Sequence, residues 1–359
     1  MSKTLIAATL ALAYANLASA QSSVSLYGVA DAALVRESGG AAGTLNKLTS
    51  GAASASRIGF KGSEDLGGGW SAVMTLETGY KLDTGEVDAA GTIFNRQAFV
   101  GLQGAAGTVT LGRQYTPWHN ALAGVGDPFA TGMAGGAKNL FPDSGANVRS
   151  SNTVRYASPA LHGVSGELAY SPGEQAGSAA GRQFGAAIGY AAGALTVRLA
   201  YNNKNGDVAA APGVTAVSRD NGRNALVAAN YDFGPVKAYC AYGSDKGYNS
   251  APLGNSANPY GGVKPTASTN GNDMLLGVSA PLARGTVLAS YMRKNDKTVL
   301  DQDAHAWGLG YLYPWSKRTT MYSSYAMIAN RHGAGYTVAN NSESGSGNRG
   351  LNLGLRHTF

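Results

Sequence analysis

The sequence predicts an all-β fold: a transmembrane β-barrel of about sixteen antiparallel strands. Three observations predict it. Segment after segment alternates apolar and polar residues with a period of two, the strand period. The links between segments alternate between short and long, as in a barrel with tight turns at one rim and long loops at the other. Beyond the first twenty residues, Gly, Asn, Ser or a charge interrupts each apolar run before it reaches the length of a membrane-spanning helix.

The chain of 359 residues opens with Lys3, an apolar stretch from Leu5 to Leu17, and Ala18-Ser19-Ala20. A cation, a short apolar core and a small-x-small site are the parts of a secretory signal. Residues 1–20 are therefore read as a signal peptide and residues 21–359 as one barrel domain. No linker or shift in composition divides that domain.

The first strand, Val24–Arg36, puts Val24, Leu26 and Leu34 on one face and Tyr27 and Asp31 on the other. The second, Ala53–Leu66, alternates Ile58 and Phe60 with Arg57, Gly59 and Lys61. A charge facing lipid near the bilayer midplane costs about 2–4 kcal/mol, so the apolar face is outward and the charged face lines the interior. Gly67-Gly68-Gly69 turns the chain into Trp70–Leu82. Ile93–Gln103 follows, and its apolar residues occupy both parities, so alternation does not orient Arg96. Thr108–Tyr115 comes after the turn Gly104–Gly107. Its Arg113 shares parity with Val109 and Leu111 and is read as facing outward, toward a subunit contact.

A long link, Thr116–Val148, leads to Arg149–Ser158 and Val164–Ser171. The remaining strands are Arg182–Tyr190, Leu195–Asn203, Ala225–Phe233, Val236–Asp245, Asp273–Ala280, Thr286–Lys294, Ala304–Tyr313, Thr319–Asn330 and Asn348–Phe359. The last places Leu351, Leu353, Leu355, His357 and Phe359 on one face and Asn352, Gly354 and Arg356 on the other. Tyrosine and tryptophan cluster near segment ends (Trp70, Tyr80, Tyr156, Tyr170, Tyr190, Tyr201, Tyr231, Tyr313, Trp315), where an amphipathic ring suits the interface of lipid and water.

Composition narrows the function. With 51 glycines and 19 tyrosines the chain suits many tight turns and aromatic girdles. A single cysteine, Cys240, excludes an intramolecular disulfide and a cysteine-built metal site. The formal net charge is +7, but the cations are scattered singly and form no nucleic-acid recognition motif. The five histidines (His119, His162, His305, His332, His357) show no metal-ligand spacing, and no GxSxG nucleophile elbow is present. These residues carry no enzymatic motif and no cofactor site, and the channel reading comes from a family resemblance. A substrate-specific channel, an enzyme and an adhesive barrel remain as rivals.

SVSLYGVADAAL, SRIGFKGSEDLGGGW, FNRQAFVGL, GTVTLGRQYTP, NTVRYASP and the terminal LGLRHTF, in that order from Ser23 to Phe359, resemble the trimeric general porins of Gram-negative bacteria, especially those of β-proteobacteria. The resemblance implies a sixteen-stranded barrel in the outer membrane, assembled as a homotrimer among lipid and lipopolysaccharide. Each barrel has its own water-filled pore for passive diffusion of small hydrophilic solutes and ions. It also implies that the third external loop, here Thr116–Val148, folds inward, and that Phe359 belongs to a signal read by the outer-membrane assembly machinery. This loop lacks the Pro-Glu-Phe-Gly-Gly turn of the enteric porins and carries Asp127-Pro128-Phe129 instead. Carried over residue by residue, the wall cations of the pore constriction are Arg57, Lys61, Arg96 and Arg149, and the loop acids opposite are Asp127 and Asp143. Such a set predicts mild anion preference, because cations in a narrow aqueous slot lower the entry barrier for anions.

Overall fold

The computed structural model describes residues 22–41, 43–248, 269–338 and 341–359. The signal peptide read at residues 1–20 and most of the long link Lys246–Asn272 lie outside the described residues. Seventeen strands form one antiparallel sheet that closes on itself. In chain order they are β1 (Ser23–Gly40), β2 (Gly43–Ser50), β3 (Arg57–Gly67), β4 (Trp70–Gly79), β5 (Gln97–Gly104), β6 (Gly107–Tyr115), β7 (Arg149–Ala157), β8 (Val164–Ser171) and β9 (Gln183–Ala192). They continue as β10 (Leu195–Lys204), β11 (Gly222–Asp232), β12 (Lys237–Gly247), β13 (Thr269–Leu282), β14 (Gly285–Asp296), β15 (Ala304–Pro314), β16 (Thr319–Asn330) and β17 (Arg349–Thr358). Each predicted segment has its strand.

Closure joins the two ends of the chain: β1 pairs with β17 from Val29↔Thr358 to Ser38↔Arg349. The terminal residue takes part, with Gly28 N donating to Phe359 O at 3.0 Å and Phe359 N donating to Gly28 O at 3.1 Å. Strands β2 and β3 both run antiparallel to β1, pairing with Ala32–Gly40 and Ser23–Val29 respectively. They are two parts of one stave, so seventeen strands make a barrel of sixteen staves. The sequence reading began the second strand at Ala53, whereas β3 begins at Arg57. Asp31 is the physical reason. Its carbonyl accepts from Gly51 N (2.8 Å) and Ser56 Oγ (3.0 Å), and its carboxylate accepts from Ser54 N (3.1 Å). Residues 51–56 are thereby held inside the barrel instead of in the sheet.

The faces sort as the alternation predicts. On β1, Asp31, Ala33, Val35 and Glu37 are buried inside and Leu34 is exposed outside. Outward residues such as Leu26, Val100, Leu111, Leu168, Ile188, Leu276 and Leu353 form an apolar band with Trp70, Tyr170, Tyr190, Tyr231 and Trp315 among its exposed aromatics. Tyr80 departs from the girdle assignment: it turns inward and donates to Val29 O at 3.1 Å.

Segment 116–148 lies within the ring. Thr116 caps a short helix, Pro117–Ala121, accepting from His119 N at 3.1 Å, and Pro117 supplies the fixed φ of a first helical residue. Trp118, Leu122, Leu140 and Phe141 are fully buried in one cluster with inward residues of β9 to β16. Alanines dominate that wall (Ala187, Ala200, Ala228, Ala241, Ala306, Ala326), and their small side chains leave the room the loop fills. Burying each large side chain contributes roughly 1.5–3 kcal/mol. Polar anchors fix the path: Asn230 Nδ2 donates to Val125 O (3.0 Å), Ser290 Oγ to Gly135 O (2.8 Å) and Ala134 N to Asn352 Oδ1 (2.8 Å). At Gly308 the wall backbone comes so near that a Cβ would lie 2.4 Å from Gly135 Cα. The loop therefore covers the wall from β9 to β16, packs Phe129 and Met133 in one cluster with Ala33 and Val35 of β1, and leaves open space on the side of β3 to β7.

Candidate functional site

That open space is a cavity of about 480 Å³ between the inner loop and the wall. Its charged lining is strongly biased: Arg57, Arg96, Arg113, Arg149, Arg356 and Lys138 face Asp88 and Asp143. Six cationic side chains against two carboxylates set the sign of the site.

The wall cations are held by a shared acid and a shared phenol. Glu77 on β4 receives Arg96 Nε at 2.8 Å, Tyr27 OH at 2.9 Å and the Arg57 guanidinium at 3.5 Å. Tyr27 reaches Glu77 by passing over Gly59, where a Cβ would sit 2.7 Å from the ring. Arg57 also donates to Ser54 Oγ (3.0 Å) and Ala55 O (2.8 Å) in the inward segment that Asp31 holds. Tyr115 at the end of β6 accepts from Arg96 (2.5 Å) and Arg149 (2.9 Å), and the Arg149 guanidinium stacks 4.5 Å from its ring centre. The same ring stacks on His119 at 5.0 Å, and His119 Nδ1 lies 2.6 Å from Asp143 Oδ1. Arginine stays charged at any relevant pH, so this wall is permanently cationic.

The structure places the residues predicted from sequence as follows. Arg57, Arg96, Arg149 and Asp143 come together at the cavity. Arg96 lies just before β5, outside the strand, which is why alternation could not orient it. Lys61 is corrected: it is four residues along β3 from Arg57, about 13 Å at strand rise, exposed, and 4.6 Å over the Tyr27 ring. It does not line the cavity.

Asp127 is also corrected. It is 3% exposed, and its carboxylate accepts from the backbone N–H groups of Phe129 (2.9 Å), Thr131 (2.8 Å) and Ala137 (2.7 Å). It organises a loop tip in which Ala130 (φ 50°), Thr131 (φ 60°) and Met133 (φ 54°) take left-handed backbone. Burial pushes its carboxyl up to about 6.

Arg113 is the third correction. The sheet register shifts between Gly112 and Gln114, and Gly112 has φ 133°. This bulge re-aims the next side chain. Arg113 therefore lines the cavity, donating to Asn95 O at 2.6 Å and Ser151 Oγ at 2.8 Å. Sequence reasoning also missed Glu77, Tyr115 and Arg356 as site residues. For Arg356 the signal was available, since it falls on the polar face of the terminal strand.

The sequence profile of the Gram-negative porin family matches residues 7–333. The chain is a Gram-negative porin. It is 31% identical to outer membrane porin protein 32 of Delftia acidovorans, with all of both chains covered. It is also 31% identical to an outer membrane porin of Bordetella pertussis, over 91% of this chain and 94% of that one. Among solved structures, an anion-selective porin from Comamonas acidovorans superposes with a TM-score of 0.75 at 26% identity, covering 94% of this chain and 100% of that one. The OmpF barrel of Salmonella typhi shares the fold, with a TM-score of 0.69 at 17% identity. This porin is an outer-membrane channel for passive diffusion of small hydrophilic solutes and ions, and not an enzyme.

Proposed function

We propose that this porin favours anions, that the cationic cavity is its constriction, and that it works as a homotrimer. The observation that carries the reading is the lining itself, six cationic side chains around two carboxylates. A permeant anion meets unneutralised positive charge in a confined aqueous space, while a cation meets a barrier. The name of the Comamonas relative points the same way. Arg57, Arg96 and Arg149 form the wall side of the filter, and Arg113 and Arg356 extend it. The exposed apolar band meets outer-membrane lipid and lipopolysaccharide. Phe359, pinned to Gly28 at the barrel seam, is the terminal aromatic offered to the assembly machinery.

The test is single-channel recording in a planar bilayer with a KCl gradient, comparing wild type with Arg57→Ala. Current steps in threes, with anion preference reduced in the variant, support the reading. Steps with unchanged selectivity move the filter away from Arg57.

A further inference from the structure

The inner loop of a cationic slot could neutralise the wall or reinforce it, and the decisive side chain is Lys138. It is 5% exposed, lines the cavity, and among the described residues makes no hydrogen bond or ion pair. Three carboxylates act on it from a distance, and each is engaged elsewhere. Asp143 pairs with His119, Glu343 is bound by Lys47 Nζ at 2.7 Å, and Asp88 accepts from Asn95 Nδ2 at 3.3 Å. Asp127, the other acid of the loop, is turned into the loop tip and sealed by backbone donors. Among the described residues, the loop therefore presents an ammonium with three donors and no carboxylate in hydrogen-bonding or ion-pair contact with it, Asp143, Asp88 and Glu343 acting only from a distance. A buried charge without a partner is costly, and a passing anion supplies the missing partner.

We infer that Lys138 is a selectivity-determining residue of this channel, a second anion contact facing the wall arginines, so that small inorganic anions are held from both sides of the slot. The inference rests on the anion-preferring reading above. It has a readout that the arginines cannot give. Burial holds the ammonium down at about 7, whereas the five arginines of the slot keep their charge. As pH rises through that value the loop loses its positive charge, and anion preference falls. Asp143, Asp88 and Glu343 are the carboxylates that act on Lys138. His119 is the remaining side chain of the slot whose type can change charge near neutrality, and a Lys138 variant separates the two.

The experiment records the zero-current potential of the intact channel in a KCl gradient at about pH 6 and about pH 9, for wild type, Lys138→Met and Lys138→Arg. One charge at the edge of an aqueous slot changes the permeability of each ion about two- to threefold in opposite directions, and so the chloride-to-potassium ratio by up to about sevenfold at low salt. Wild type is expected to lose that factor between the two pH values. Lys138→Met should show the lower ratio at both, and Lys138→Arg the higher ratio at both. Should the Met variant fail to form channels, the contrast between wild type and Lys138→Arg at the higher pH decides. A wild-type ratio and pH slope retained in Lys138→Met, or a wild type and Arg variant that lose preference alike, overturns the inference and leaves the arginine filter standing. A wild type without anion preference at either pH overturns the underlying reading instead.

Discussion

Replacing Glu77 by Gln tests whether the wall is a counted set of charges or only a polar surface. Glu77 is the one carboxylate bound to both Arg57 and Arg96, so the substitution raises the local charge by one at nearly constant volume. An ion passing about 7 Å away in water feels about 0.6 kcal/mol from that charge, a factor of nearly three in local concentration. The effect is opposite for the two ion signs, so the chloride-to-potassium permeability ratio should rise up to about sevenfold at low salt. The gain should shrink toward about 1 M KCl, where the screening length is about 3 Å. Removing one partner of a buried ion pair costs about 3–5 kcal/mol. Here the amide oxygen still accepts from Arg96, and Tyr115 still holds the other end of that guanidinium, so the loss should fall below that range. Zero-current potentials at about 0.1 M and about 1 M salt read the ratio, and thermal unfolding in detergent reads the cost. An unchanged or more cation-favouring ratio, in a variant of wild-type conductance, refutes the electrostatic reasoning.

Two further outcomes follow from the packing. Gly59→Val places a side chain where the Tyr27 ring crosses to Glu77, so Tyr27 is expelled into the lumen; the variant should unfold at lower temperature and pass smaller unitary currents. Asp127→Asn addresses the loop tip. The Asp127 carboxyl is raised on folding, so its contribution is full below its unfolded value near about 3.9 and is lost as pH rises through about 6. Wild-type stability should therefore decline across that window by at most about 3 kcal/mol, and the Asn variant, followed by circular dichroism during heating, should lose that slope.

The barrel was legible because lipid on one side and water on the other impose alternation on each strand, down to the leucine face of the terminal segment. Strand β2 escaped because Leu45 and Leu48 are three residues apart and fall on opposite faces, leaving no alternation to detect. The site was legible where strand parity governs, as for Arg57, and where the family pattern reached, as for Arg96, Arg149 and Asp143. It was illegible where the backbone breaks its own period. A bulge at Gly112 reverses the direction assigned to Arg113, and a left-handed loop tip swallows Asp127. Lys138 was visible as a loop residue, but its significance lies in what surrounds it, and partners brought from the loops near Asp88 and Glu343 cannot be counted along the chain.

The central claim, a slot of net positive charge that sorts ions by sign, is tested most directly by the zero-current potential of the wild-type channel under a tenfold KCl gradient at neutral pH. The account predicts a potential of the anion-selective sign, with a chloride-to-potassium permeability ratio above one that declines as salt is raised. A potential of the opposite sign, or one indifferent to ionic strength, would contradict it.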